Sequence, residues 1–278
     1  MTSTLQGRTV FITGASRGIG RAIALRCAKD GANVVLAAKT SDPHPKLPGT
    51  IHTVAAEVEA AGGQALAVMT DVRFEESVQA SVDAAVAKFG GIDALVNNAG
   101  AISLTGIEDT PMKKFDLMLG VNARAVFLCA KLCLPHLAKS KNAHVLSLSP
   151  PVSLPPGWIK GHEAYTLSKY GMTLLSMGLA ASLRDQNIAV NTLWPKTIIS
   201  TAAIDMLMGD DGMKKSRTPE IMADAAYEIL ATAGLALTGR AIIDEELLRE
   251  RGVKDFAKYL STPGTEPRTD FYVGEPWG

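Results

Sequence analysis

The sequence predicts an α/β fold, a single doubly wound parallel sheet (Rossmann-type in topology) with helices on both faces. Three observations lead there. Short, nearly continuous apolar runs alternate with helical patterns down to residue 193, as strands do when both faces of their sheet are covered. A glycine-rich turn, Thr13-Gly-Ala-Ser-Arg-Gly-Ile-Gly20, joins the first run to the first helix. The 278 residues, 47% hydrophobic and 20% charged, can bury a sizeable core and read as one domain, 1–278.

The elements follow in order. Thr9 to Ile12 is a strand, and the pattern from Ile19 to Lys29 is a helix that Gly31 closes. Asn33 to Ala38 is the next strand. Thr40 to Gly49 is a proline-rich loop before a helix over Val54 to Ala61. Then come a strand at Ala65 to Met69, a helix at Glu75 to Phe89 and a strand at Ala94 to Val96. Met112 to Leu137 is one long helical stretch, which Pro135 is expected to bend. A strand at His144 to Leu148, a helix at Ala164 to Leu183 and a strand at Ile188 to Leu193 complete the alternation. Repeated β-α units imply parallel strands joined by right-handed crossovers. From Trp194 to about 218 the periodicity weakens, the mark of a lid or binding loop. The tail from Ser261 to 278 is expected on the surface or against another subunit.

Composition narrows the function classes. Lys plus Arg and Asp plus Glu balance at 28 each with no basic run, which argues against nucleic acid or an anionic membrane as partner. The start lacks a charged-then-apolar leader, no apolar run is expected to span a bilayer, and the end carries no address tag. A cytoplasmic protein is expected. Cys129, Cys133 and His136 fall at helical spacing, but without a fourth ligand they read as a core stripe and not a metal site.

The glycine turn follows a strand and opens a helix. In that context, glycines let backbone approach a pyrophosphate while the helix N-terminus supplies amide donors. Tyr165 and Lys169 are four apart on a predicted helix, so their side chains share one face. A phenol is too weak an acid to serve as base at neutral pH, and a neighbouring ammonium is expected to draw its pKa down.

The Gly-x-x-x-Gly-x-Gly spacing, Asn97-Asn-Ala-Gly100, Asn122 and Tyr165-x-x-x-Lys169, in this order, resemble the short-chain dehydrogenase/reductase family over about residues 5 to 245. Ser149-Pro-Pro151 and Leu193-Trp-Pro-Lys-Thr197 resemble its hydroxysteroid dehydrogenase-like branch, some members of which add a sterol-carrier domain that this chain is expected to lack. The resemblance implies that Tyr165 exchanges a proton with the substrate oxygen, while Lys169 supports it and holds the nicotinamide ribose. It also implies that Asn122 holds a relay water and Asp71 contacts the adenine. Gly14, Ser16, Arg17, Gly18, Ile19, Gly20 and Asn98 are the expected cofactor contacts. Commonly, such proteins are homodimers or homotetramers.

Strand two ends in Ala37-Ala-Lys39-Thr with no acid to bond a ribose 2′-hydroxyl. Lys39 and Arg17 can instead neutralise a 2′-phosphate, so NADP (NADPH) is favoured over NAD. Ile198, Ile199, Met206, Leu207 and Met208 suggest an apolar alcohol or carbonyl substrate, fatty, terpenoid or steroid-like. In relatives the strand before the loop ends in a serine pair whose second member bonds the substrate; here Pro150 takes that position and has no donor. Ser149 replaces it in the reading favoured here, Ser153 is the other candidate, and Tyr165 acting alone is the third. A cofactor-binding sensor without activity, and a carbon–carbon double-bond reductase, are the rival functions.

Overall fold

The computed structural model describes residues 4–43 and 47–276, so part of the proline-rich loop (44–46) and the end of the tail (277–278) lie outside it. In chain order the elements are β1 (Thr9–Thr13), α1 (Gly18–Ala28), β2 (Asn33–Ala38), α2 (Ile51–Ala60), β3 (Gln64–Met69), α3 (Glu75–Phe89) and β4 (Ala94–Asn97). Next come α4 (Met112–Leu119), a π-helical turn (Gly120–Arg124), α5 (Ala125–Leu137), β5 (Ala143–Ser147), α6 (Glu163–Ser182) and β6 (Ile188–Trp194). The chain then forms α7 (Ala202–Lys214), α8 (Glu220–Leu230), β7 (Ala241–Ile243) and α9 (Asp244–Glu250).

Among the described residues the strands form one seven-stranded sheet in the order β3-β2-β1-β4-β5-β6-β7, and the paired strands run parallel. Strand alternation divides the core. Val10, Ile12, Val34 and Leu36 pack beneath α1, α2, α8 and α9, while Phe11, Val35 and Ala37 pack beneath α3, α5 and α6. Cys129 and Cys133 belong to the second cluster, and burial pushes the Cys129 thiol up to about 12, so it stays protonated.

Several boundaries moved for identifiable reasons. Helix α2 begins at Ile51 because Thr50 caps it reciprocally: Thr53 N–H donates to Thr50 Oγ1 at 3.1 Å, and Thr50 N–H to Thr53 Oγ1 at 2.8 Å. The long helix is interrupted at Gly120–Arg124, around Asn122, and not at Pro135, which sits in the last turn of α5. Against expectation, the stretch Met112–Leu137 is long and apolar enough by length and composition to cross a membrane. Here its Ala125, Leu128, Cys129, Cys133 and Leu137 are buried in the core of the fold. The weakly periodic segment after Trp194 also contains a helix, α7, kinked at Gly209 where φ is +57°.

The last third of the chain is pinned by a buried acid. Glu245, at the start of α9, pairs with Arg217 at 2.5 Å, with Lys196 at 2.9 Å and with Arg249 at 2.9 Å. Arg217 in turn threads its backbone between neighbours, its N–H donating to Ile198 O and its carbonyl accepting from Ser200 N–H. Burial works to raise the Glu245 carboxyl, but hydrogen bonds from Lys196, Arg217 and Arg249 outweigh it and hold the group at about 2. A carboxyl with its pKa lowered on folding stabilises above its unfolded value and loses that contribution as pH falls through the folded one. Glu245→Gln removes the carboxylate that meets Arg217, Lys196 and Arg249 and leaves buried Arg217 only the weaker influence of Asp244. The expected loss is about 3–5 kcal/mol at neutral pH by urea denaturation. The gap between variant and wild type should shrink as the pH is lowered from about 4.5 toward 2.

Candidate active site

From β1 the chain winds to β3 in one direction and from β4 to β7 in the other, so the strand order reverses beside β1 and opens a crevice at the carboxyl ends. The glycine turn lies there. Gly14 and Gly18 have φ of +67° and +54°, in the left-handed region that favours glycine. A Cβ on Gly20 would lie 2.4 Å from Asn98 Nδ2 and 2.6 Å from Gly14 O. Asn98 explains this closeness: its Nδ2 donates to Thr13 O at 2.8 Å and to Gly14 O at 3.0 Å, stapling the turn to the end of β4. It shapes the cradle, as the Asn97–Gly100 motif suggests.

The outer end of the crevice is lined by Gly14, Ser16, Arg17, Lys39, Asp71 and Arg73. Asp71 binds Arg73 bidentately, with Nη2 2.5 Å from Oδ2, and lies 3.4 Å from Lys39 Nζ. The hydrogen bonds from Arg73, with the charge of Lys39, hold its carboxyl at about 2, against the opposing effect of desolvation. Arg17 donates to Thr40 Oγ1 across the pocket mouth. Three cations thus surround one acid. Arg73 was not singled out from sequence; the signal available was its position two residues after Asp71.

The inner end brings together Ile19, Asn98, Tyr165, Lys169, Trp194 and Asp270. Lys169 is buried, donates from Nζ to Leu148 O at 2.9 Å and lies 5.2 Å from the centre of the Trp194 ring. Burial lowers its pKa to about 8, partly offset by Asp270. Tyr165 goes the other way from expectation: burial first, then Tyr272 and Asp270, push its phenol well above the ordinary value. The reason is the dryness of the site; the Lys169 ammonium meanwhile donates to the Leu148 carbonyl. The phenol therefore holds its proton at neutral pH.

Asn122 is fully buried within the π turn. Its Oδ1 accepts from Ala101 N–H at 2.8 Å, and its Nδ2 donates to Ala101 O and to Ser168 Oγ. Ser168 in turn donates to Tyr165 O at 2.7 Å. The side chain is spent on fixing Tyr165, so a relay water at this residue would have to use its main chain. Ser149 does not line the pocket. It is completely buried, and Thr173 Oγ1 donates to its hydroxyl at 2.9 Å, because the strand end turns it toward α6. Ser153 is likewise outside the lining; its backbone is tied to the Tyr170 hydroxyl.

Of the five apolar residues expected to cover the substrate, Ile199 and Leu207 line the pocket with Ile204. Ile198 is buried elsewhere and Met206 is 68% exposed. The tail, expected on the surface or against another subunit, enters the site through Asp270 and Phe271. No local pattern in the sequence marked those two residues.

Sequence and fold are similar to those of known proteins. The short chain dehydrogenase family model matches residues 8–208. Hydroxysteroid dehydrogenase-like protein 2 of Danio rerio is 59% identical over 276 residues, 99% of this chain and 66% of its own length, so the chain spans just under two thirds of that relative. A solved structure from Xanthomonas campestris is 54% identical with a TM-score of 0.95, covering 98% of this chain and 100% of that one. A metagenomic short-chain oxidoreductase solved in complex with NADP is 26% identical with a TM-score of 0.72, covering 87% and 98% respectively. On the match over most of its length and on these relatives, the chain belongs to the short chain dehydrogenase family, in its hydroxysteroid dehydrogenase-like branch.

Proposed function

We propose that the protein is an NADP-dependent oxidoreductase that interconverts an alcohol and a carbonyl on an apolar substrate. The observation that carries this reading is the pairing of a buried Tyr165 and Lys169 at the inner end of a crevice whose outer end holds Arg17, Lys39 and Arg73. The crevice suits a dinucleotide phosphate: its floor is the N-terminus of α1, held by a tight turn in which a Cβ at Gly14 or Gly20 would collide with Asn98. The excess of two cations over Asp71 suits a 2′-phosphate better than a neutral ribose. The NADP complex of the metagenomic relative is consistent with that choice.

When bound, the nicotinamide supplies or accepts the hydride. The rest falls to this chain. Tyr165, held protonated by burial, donates its proton to the substrate oxygen in the reducing direction and takes one back in the other. Lys169 stabilises the phenolate that forms, from a position fixed by Leu148 O. Asn122, through Ser168, keeps the first turn of Tyr165 in place. Ile102, Ile199, Ile204, Leu207 and Phe271 make an apolar wall that excludes water from the reacting oxygen.

Tyr165→Phe should lower turnover of an apolar aldehyde or ketone by ~10²–10⁴-fold while NADPH binding, read by fluorescence, stays within threefold. Wild-type turnover in that variant would remove Tyr165 from the reaction, and NADPH binding without turnover of any aldehyde or ketone by the wild type would favour the sensor.

Lys39→Asp should shift the NADP/NAD affinity ratio toward NAD by about tenfold or more, 1.4 kcal/mol. The change is held to that size because Lys39 is largely exposed and Arg17 and Arg73 remain. An unaltered ratio would show Lys39 to be a bystander.

Ser149→Ala is expected to reduce kcat/KM less than threefold, since its hydroxyl faces Thr173, and to lower thermal stability modestly through the lost buried hydrogen bond, about 0.5–1.5 kcal/mol. A tenfold kinetic loss with stability intact would return it to the substrate.

A further inference from the structure

The tail reaches the site as a strap. Its Arg268 N–H donates to Lys215 O, its Arg268 carbonyl accepts from Ile198 N–H, and Asp270 N–H donates to Lys196 O at 3.0 Å. Thr269 bridges Thr197 in antiparallel fashion. Beyond the crossing, Tyr272 takes φ of +66°, a left-handed conformation that costs a non-glycine residue about 1–2 kcal/mol. An aromatic cage holds it there. The Tyr272 ring packs on Trp158, Tyr170, Trp194 and Phe271, and its hydroxyl is 3.0 Å from Thr166 Oγ1. Trp194 Nε1 donates to Phe271 O at 2.8 Å, locking the strap against β6. The result is a carboxyl, Asp270, buried in the wall of the pocket that also holds Tyr165 and Lys169.

A census of the polar side chains in that pocket gives this carboxyl a role. The amide nitrogen of Asn98 is spent on the glycine turn, and Lys169 donates to Leu148. Thr201 lies at the other end, its Cγ2 3.4 Å from where a Gly18 Cβ would sit. Ser149 faces α6 and Pro150 has no donor to give. Asp270 is what remains in the lining with Tyr165; its carboxyl accepts from the Phe271 N–H and faces the Trp194 indole, which leaves the proton of its neutral form to donate.

We propose that the Asp270 carboxyl is a further substrate-facing group, which in its neutral form donates a hydrogen bond to the substrate oxygen beside Tyr165, a donor that Pro150 cannot supply. This rests on the oxidoreductase reading above. Burial pushes Asp270 up to about 8, so the neutral form prevails at neutral pH and is lost as pH rises through that value. The groups that face it are Lys169 and Tyr165 from α6, Tyr272 from the strap, Asp244 from α9 and the Trp194 indole from β6. Lys169 titrates in the same range, so a test by pH must leave it in place.

The test uses decanamide, an apolar carbonyl compound that is not reduced, bound to the protein–NADPH complex and read by quenching of NADPH fluorescence between pH 6 and 9. Wild type should bind it and weaken at least fivefold across that range. Asp270→Asn keeps a donor without the acid; it should bind within threefold of wild type at pH 6 and stay flat. Asp270→Leu should bind at least tenfold more weakly at every pH, with NADPH affinity unchanged. In aldehyde turnover, kcat/KM should follow the same order. Equal binding by Asp270→Leu overturns the proposal, as does a pH dependence that survives in Asp270→Asn, which would belong to Lys169. Failure of wild type to bind decanamide overturns it as well. Absence of aldehyde turnover with a normal decanamide titration would instead sink the oxidoreductase reading and leave the Asp270 contact standing.

Discussion

A lysine ammonium held in the dry end of a parallel sheet is the constraint around which this site is organised. An ammonium of that kind cannot stay charged out of water unless neighbours replace its hydration. Lys169 finds the carbonyl of Leu148 at the end of β5 and the face of Trp194 at the end of β6, with Asp270 of the strap in the same pocket wall. Each comes from a different element, so the charge ties together α6, two strands and the tail. Tyr165 sits one turn away in the same shell and responds to the same dryness in the opposite sense. Burial favours the neutral form of both groups: it disfavours the lysine's charged form and the tyrosine's ionised form.

The two ends of the crevice use opposite electrostatic strategies. At the outer end charges are close to solvent, and Asp71 is saturated by Arg73 and Lys39, leaving a net positive rim. Such a rim attracts phosphate while it still exchanges with water and salt. At the inner end charge is scarce and every polar group has one assignment. Asn98 shapes the glycine turn, Asn122 holds the turn of Tyr165, and Ser149 braces the strand end against α6. Residues that in sequence look like reagents are here largely scaffold. Their hydrogen bonds place the few atoms that can react.

The carboxyl-terminal third acts as one assembly with the site. Glu245 fastens Arg217, Lys196 and Arg249, and Arg217 holds the segment from Ile198 to Ser200. The strap lies on that same segment through Lys196 and Ile198, so the latch and the pocket wall share a backbone. Disturbance of a buried ion pair remote from Tyr165 therefore has a physical route to the position of Asp270.

What the sequence determined by itself was whatever depends on short spacing. The alternation of strands and helices through β6, the glycine turn, and Tyr165 with Lys169 on one helical face all follow from periods of a few residues. The same locality made Lys39 legible at the end of β2. The tertiary structure alone decided what depends on chain segments far apart in sequence. Asn122 is absorbed into a π turn that meets Ala101, 21 residues earlier. The direction of Ser149 is settled by Thr173, 24 residues later. Asp270 enters the site from more than one hundred residues beyond Tyr165, carried by backbone hydrogen bonds that any side chain could make. Main-chain pairing leaves little trace in residue type, and for that reason the strap and its carboxyl were invisible until the chain was folded.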